Sequence, residues 1–493
     1  MQSRSATLTG LAFCTVVCLL AAAPPDGLRS NRTGAVPVHS QPRDSQSLSS
    51  LAIYDPNPNH LWNRLFRQFY VRKAWDGRDY GGDVLDPLLW GETHYLITGA
   101  SHQQALSVLD EFLSSQGERL ITDPLKRAML QRDLWAVFDW ATDPLYEEAK
   151  HNRTELARKL GLAIKRLALS PEQIQALPDT YSLAVAAKAF PNEYDHNQRE
   201  TAFLPPNLLQ PGSGRVNLGT AGEGFPLASG APVHTQEFGA RSLFLVFIRL
   251  PGGRDGTLAY IKQLADFPKP CIQAPELPSG QPYFLTRDPI TGGGTGTGGM
   301  VPNPDLPQFP RGTQVLLLRR MMVIDREGQL RPTRLVESVQ IQVFVDIPSR
   351  AEWLAAPSKL LQDVFEFRLS RRKLFAGDAG GLRAVARDEW EFRTFGVRPF
   401  DQLEGGPGAN ASMGTLSDAE HRPPRILNTC AGCHGAPGVQ SLAATRRLFG
   451  QGTCSALKFY ATSAEEQAEE TIDWKHGQYN WGLLQGLWLS NAD

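Results

Sequence analysis

Five consecutive residues bring two thiols and an imidazole together: Cys430-Ala431-Gly432-Cys433-His434. Two thiols three positions apart can each add to one vinyl group of the same porphyrin. A histidine directly after them is then held beneath the iron, where its imidazole can serve as the proximal ligand. This C-x-x-C-H spacing therefore predicts that Cys430, Cys433 and His434 attach one haem c covalently to the chain.

The same thiols also fit two other kinds of site. A structural zinc site would use the Cys₃His set Cys430, Cys433, Cys454 and His476. Against zinc, the second half of that set lacks the short paired spacing usual in zinc folds, and His434 would have no role. A reducible thioredoxin-like disulfide would need a strand before the motif, but residues 422–429 include Pro423-Pro424 and do not resemble a buried strand. We therefore favour haem and keep zinc as the alternative.

The amino terminus indicates export. Arg4 precedes a short apolar run over residues 11–20, and three alanines follow at 21–23. This order is typical of a secretory signal peptide covering residues 1–23, and the run is short for a membrane span. Pro24-Pro25 is an awkward neighbour for a cleavage site, so an uncleaved anchor stays open. In an oxidising compartment, Cys271 and Cys454 could form a disulfide; two separate buried thiols are the alternative.

With its export signal, the motif resembles that of c-type cytochromes, whose haem is coupled on the outer side of the bacterial inner membrane. The resemblance covers the motif and, at its widest, residues 425–493, and it implies a periplasmic or otherwise exported haem protein. The chain departs from the family because no methionine follows Met413 to act as the usual distal ligand. His476 is the only histidine downstream of the motif and is the expected distal ligand. His421, Met413, an open iron, or a His476 that is simply a surface residue are the alternatives.

Length, composition and charge limit the remaining possibilities. The 493 residues exceed one ordinary domain, and 41% of them are hydrophobic. The formal net charge of −1 gives no general reason to expect nucleic acid as a partner. The expected partner is a redox protein, with membrane attachment only if the amino-terminal segment is uncleaved.

Local patterns predict an α+β multidomain protein. The expected order is a linker (24–59), a helical-bundle domain (60–200), a mainly antiparallel β domain (201–395), a Gly/Pro linker (396–424) and a small α-helical, cytochrome c-like haem segment (425–493). Asp123-Pro124, Asp143-Pro144 and Ser170-Pro171 each predict a helix start. Residues 242–250, 315–324 and 335–345 read as strands, the last two joined in a hairpin, and a sandwich is one arrangement they allow.

Three functions are compatible with these features. The first is mono-haem electron transfer, the second is a haem enzyme or sensor with an open distal site, and the third is a non-catalytic binding protein with a structural zinc. The sequence contains no G-x-S-x-G, H-E-x-x-H or Walker motif, so no catalytic residue can be named. The isolated His94, His102 and His234 are expected to be structural.

Overall fold

We analysed a computed structural model of the protein. It describes residues 52–73, 79–83, 95–144, 149–206, 208–210, 213–221, 230–273, 300–303, 305–348, 361–389 and 458–490, together with 352, 426–427, 438–439 and 441–442. The predicted signal peptide, residues 24–51 of the first linker and the whole second linker lie outside these ranges. Of the helices within them, none combines the length and the apolar composition that a membrane span requires.

The helices are concentrated in the first half of the chain and at its carboxyl end. They are α1 (Leu61–Tyr70), α2 (Gly99–Ser114), α3 (Pro124–Ala141), α4 (Lys150–Leu167), α5 (Pro171–Gln175), α6 (Thr180–Ala186), α7 (Pro232–Glu237), α8 (Gly253–Ala265), α9 (Arg371–Phe375), α10 (Ala464–His476) and α11 (Tyr479–Ser490).

The strands form one large sheet and two small ones. They are β1 (Arg72–Lys73), β2 (Asp79–Tyr80), β3 (Val216–Ala221), β4 (Ser242–Arg249), β5 (Cys271–Gln273), β6 (Met300–Pro302), β7 (Gln314–Ile324), β8 (Leu330–Phe344), β9 (Gln362–Leu369), β10 (Leu382–Ala384) and β11 (Lys458–Ala461). The large sheet has the order β10-β9-β8-β7-β4-β3-β11, and every neighbouring pair is antiparallel. The predicted α+β class is confirmed.

Both faces of the large sheet are buried, which explains the uninterrupted apolar sequence of β4. Leu243, Leu245 and Phe247 pack into a cluster shared with the amino-terminal helices and with α11. Phe244, Val246 and Ile248 pack into a second cluster with α8. Because successive side chains of a strand point to opposite faces, a strand covered on both sides needs apolar residues at every position. We call these two sides the bundle face and the α8 face.

Helices, and not a second large sheet, cover the described faces of the β region, so the sandwich arrangement was wrong. The bundle face is covered by α3 together with α5, α6 and α10, and α3 is buried on every side from Ala128 to Ala141. One hydrophobic cluster joins residues of α1–α4, the sheet, α10 and α11. The predicted domain boundaries stay a prediction, but the carboxyl-terminal helices pack against the same core as the amino-terminal ones.

Two of the three predicted helix starts are confirmed. Asp123 caps α3 through its carboxylate, with Pro124 in the first turn, and Ser170 forms a capping box with Gln173. The helix start expected at Asp143-Pro144 stays a prediction, because residues 145–148 lie outside the described ranges; α4 begins at Lys150, after Ala149 in a left-handed conformation (φ 51°). The predicted 325–328 hairpin turn is present between β7 and β8.

Candidate functional site

The C-x-x-C-H motif and Cys454 lie outside the described residues, but the chain on both sides of the motif is placed. Before it, Ile426 is buried and its N–H donates to the Glu389 carbonyl at 3.1 Å. After it, Val439 is fully buried in the α8-face cluster, and its N–H donates to Gln308 Oε1 at 2.7 Å. Both flanks are therefore anchored by a buried apolar side chain and a backbone hydrogen bond.

His476, the expected distal ligand, is the last residue of α10. Its side chain is exposed and stacks on Trp481, with ring centroids 5.3 Å apart and an interplanar angle of 28°. Trp481 belongs to the bundle-face cluster, whereas Val439 belongs to the α8-face cluster. His434 itself lies outside the described residues, so ligation by His476 stays a prediction.

Cys271 begins β5, where it pairs in register with Pro302 of β6. Helix α8 ends at Ala265, six positions before Cys271, and it packs beside β11, whose first residue Lys458 follows Cys454 by four positions. Whether Cys271 and Cys454 pair stays a prediction.

The remaining predicted sites have mixed outcomes. His102 is buried and its Nδ1 lies 2.9 Å from the Leu96 carbonyl oxygen, as expected of a structural histidine. His234 packs against Phe244 at 5.5 Å between ring centroids. His94, His421 and Met413 lie outside the described residues. Over the part of the chain that is described, no group of three or more His, Cys, Asp or Glu residues is arranged to hold a metal.

Sequence reasoning missed a group of buried charges around α3. Asp139 accepts from Arg241 Nη1 at 2.8 Å and from Lys475 Nζ at 2.7 Å, and all three side chains are buried. Burial lowers the pKa of Lys475 to about 8, while Asp139 acts in the opposite direction. Gly239 permits this arrangement, because its φ is +55° and a Cβ there would lie 2.7 Å from Arg241 Nη1.

A second buried group includes Arg132, which lies two helical turns before Asp139 on the same side of α3. Glu337 of β8 pairs with Arg319 Nε at 2.8 Å and with Arg132 Nη2 at 3.4 Å. Ser242 Oγ donates to Glu337 and accepts from Arg132 Nη2 at 2.9 Å. These contacts tie α3 to three successive strands of the large sheet, β4, β7 and β8.

A third buried pair joins α3 to α9. Arg371 donates to Asp133, both side chains are almost completely buried, and the Tyr54 hydroxyl donates to Asp133 at 3.3 Å. Burial raises the pKa of Asp133 to about 6, against the opposing effect of Arg371. The guanidinium also lies 4.8 Å from the centroids of both Phe66 and Tyr70. Since this pair and the Lys475 amine are closed to solvent, we assign them to stability and not to substrate chemistry.

One signal in the sequence could have revealed these pairs. The run from Ala128 to Ala141 is almost wholly apolar except for residues 131–133 and 139. A charged residue inside a helix that is apolar on every side must find a buried partner. The identity of the partners, up to 336 positions away in sequence, is not encoded locally.

Comparison of the chain with family models, with curated proteins and with solved structures finds no match.

Proposed function

We propose that this chain is an exported, periplasmic c-type haem protein with one covalent haem, and that it passes single electrons to a partner protein. The observation that carries the proposal is the Cys430-Ala431-Gly432-Cys433-His434 motif. The signal-like amino terminus supports it, because export would bring the chain to the compartment in which c-type haem is attached. We also propose that the chain is divided into a helical domain, a β domain and a haem segment at residues 425–493.

The donor set fits a haem by its chemistry. Cys430 and Cys433 supply two thiols at the spacing of two vinyl groups, and each S–H adds across one C=C bond without an external oxidant. The imidazole of His434 supplies the proximal nitrogen ligand. The chemistry supplied by a bound haem is one-electron exchange at iron. Anchoring of the flanks at Ile426 and Val439 holds both ends of the segment that would carry these three residues.

Expression with haem-maturation machinery tests the proposal. We expect the purified protein to show a Soret band and to retain it after acid-acetone extraction, because thioether bonds survive that treatment. The double variant C430A/C433A should lose the covalent haem entirely. The matched control C271A removes a thiol outside the motif and should keep it. A colourless wild-type protein with stoichiometric zinc would exclude haem and support the structural Cys₃His site in a non-catalytic binding protein.

The distal ligand distinguishes a carrier from an enzyme or sensor. We expect a low-spin iron with a second nitrogen ligand from His476, because no methionine follows Met413 and the His476 side chain is exposed. Near-infrared magnetic circular dichroism should show the H476A variant to be high-spin. The control H151A, at an exposed histidine of α4, should stay low-spin.

Two outcomes would contradict this ligand assignment. A low-spin H476A protein would mean that His421 or Met413 occupies the position. A wild-type iron that is already high-spin and binds carbon monoxide would contradict the carrier function and favour a haem enzyme or sensor.

A further inference from the structure

A pocket of about 520 Å³ opens where β4 ends and β7 begins. Arg249, the last residue of β4, pairs in register with Gln314, the first residue of β7, and both line it. Tyr194, Pro251 and Val345 provide apolar surface on other sides. The pocket therefore combines polar residues at the ends of two strands with an apolar wall, as ligand sites do.

Positive charge in this pocket exceeds what the surrounding carboxylates neutralise. Among the residues that the structure describes, the Arg249 guanidinium has no hydrogen-bond or ion-pair partner although the side chain is partly buried. A second cation at the pocket, Arg311, is already paired with Asp346 at 2.7 Å. The one acidic lining residue, Glu193, is exposed.

Arg215 adds a buried cation behind Arg249. It lies one position beyond the Val216–Ile248 pair of β3 and β4, which places it beside Arg249, and it is only 6% exposed. Its Nη2 donates to Gln314 Oε1 at 3.1 Å, and its Nε has no hydrogen-bond acceptor among the described residues. Burial and the charge of Arg249 lower the pKa of Arg215 to about 10.

Gln314 is oriented by this contact. Because its Oε1 accepts from Arg215, its amide nitrogen is the end left to donate, and no described residue accepts from it. A guanidinium fork and an amide N–H₂ on paired residues of adjacent strands form a donor set that matches a carboxylate or phosphate group. The volume is large enough for an organic body beyond that group.

We infer that the pocket binds a small organic oxyanion, whose charged group lies against Arg249 and Gln314 and whose apolar body lies against Tyr194, Pro251 and Val345. The inference involves no residue of the C-x-x-C-H motif, so its test is independent of haem attachment.

Isothermal titration of the full chain with benzoate, phenyl phosphate and phenol tests this inference. We expect both anions to bind, phenyl phosphate more tightly because of its greater charge, and phenol to bind much more weakly. The R249M variant should weaken anion binding by about tenfold or more, the effect of one charged hydrogen-bonding partner. The control R334M makes the same change at an exposed residue near the start of β8, whereas the lining residue Val345 follows the end of that strand. This control should bind the anions as the wild type does.

A second variant, which leaves Arg249 in place, should have the opposite effect on anion binding. E193Q removes the acidic lining residue without altering the donors, so it should tighten binding of both anions. The inference is overturned if the wild type binds neither anion, if phenol binds as well as benzoate, or if R249M and E193Q leave the anion affinities unchanged.

Discussion

Replacement of Arg371 by methionine is expected to lower the free energy of unfolding by about 3–5 kcal/mol at neutral pH. Methionine fills much of the space beside Phe66 and Tyr70, but it leaves the Asp133 carboxylate buried without its cation. The Tyr54 hydroxyl still donates to Asp133 and compensates only partly. Urea denaturation monitored by tryptophan fluorescence would measure the loss.

The pH dependence of R371M separates an electrostatic cost from a packing cost. Burial already raises the pKa of Asp133 from 3.8 to about 6 in the folded protein. The folded state therefore binds this proton more tightly than the unfolded chain, so stability falls as pH rises from about 4 through about 6. In R371M the pKa of Asp133 should rise further, and the loss of stability should extend to higher pH.

The isosteric variant D133N is the control. It leaves Arg371 charged and buried at every accessible pH, because a guanidinium does not deprotonate, so its loss of stability should not follow this pH window. The double variant D133N/R371M removes both charges and should recover most of the lost stability. A loss in R371M that is constant from pH 4 to 8 would contradict the assignment and indicate a packing effect alone.

Replacement of Asp139 by asparagine is the second large effect that we expect, again about 3–5 kcal/mol. Asp139 is a single carboxylate shared by Arg241 and Lys475, so D139N leaves two buried cations without their shared anion. The opposite substitution, K475M, leaves a matched Asp139–Arg241 pair. We therefore expect K475M to cost much less than D139N, although both remove one charge from the same contact.

The alkaline limb of the stability profile provides a further check on Lys475. Burial lowers the pKa of Lys475 to about 8, whereas the unfolded chain holds this proton up to about pH 10.5. The unfolded state binds more protons between these values, so this lysine should make stability rise with pH from 8 to 10.5. K475M should lack that contribution. Equal losses in D139N and K475M, or identical alkaline profiles for wild type and K475M, would contradict the assignment.

The elements that could be predicted from sequence are those stabilised by residues close in the chain. The caps of α3 and α5 are recognisable because Asp123 and Ser170 bind backbone N–H groups within three positions. The strand β4 is recognisable because burial on both faces makes residues 243–248 apolar without interruption. These signals are complete within a window of a few residues.

The elements that could not be predicted depend on distant partners. β3 contains Gly219, and a Cβ at that position would lie 2.5 Å from the Tyr460 ring of β11, so the glycine is explained only once β11 is placed beside it. Likewise Lys475 reads as a surface residue until Asp139 is placed against it. At the candidate site, the residue types of the motif predict the chemistry, but spacing alone cannot fix the position of His476 relative to His434.

The sequence separation between Asp139 and its two cations bears on the order of folding. Arg241 is 102 positions from Asp139 and Lys475 is 336 positions from it. Joining residues so far apart costs chain entropy before the buried contacts can stabilise the fold. We therefore expect this cluster to assemble late in folding, and the bundle face to close only when α10 packs against it.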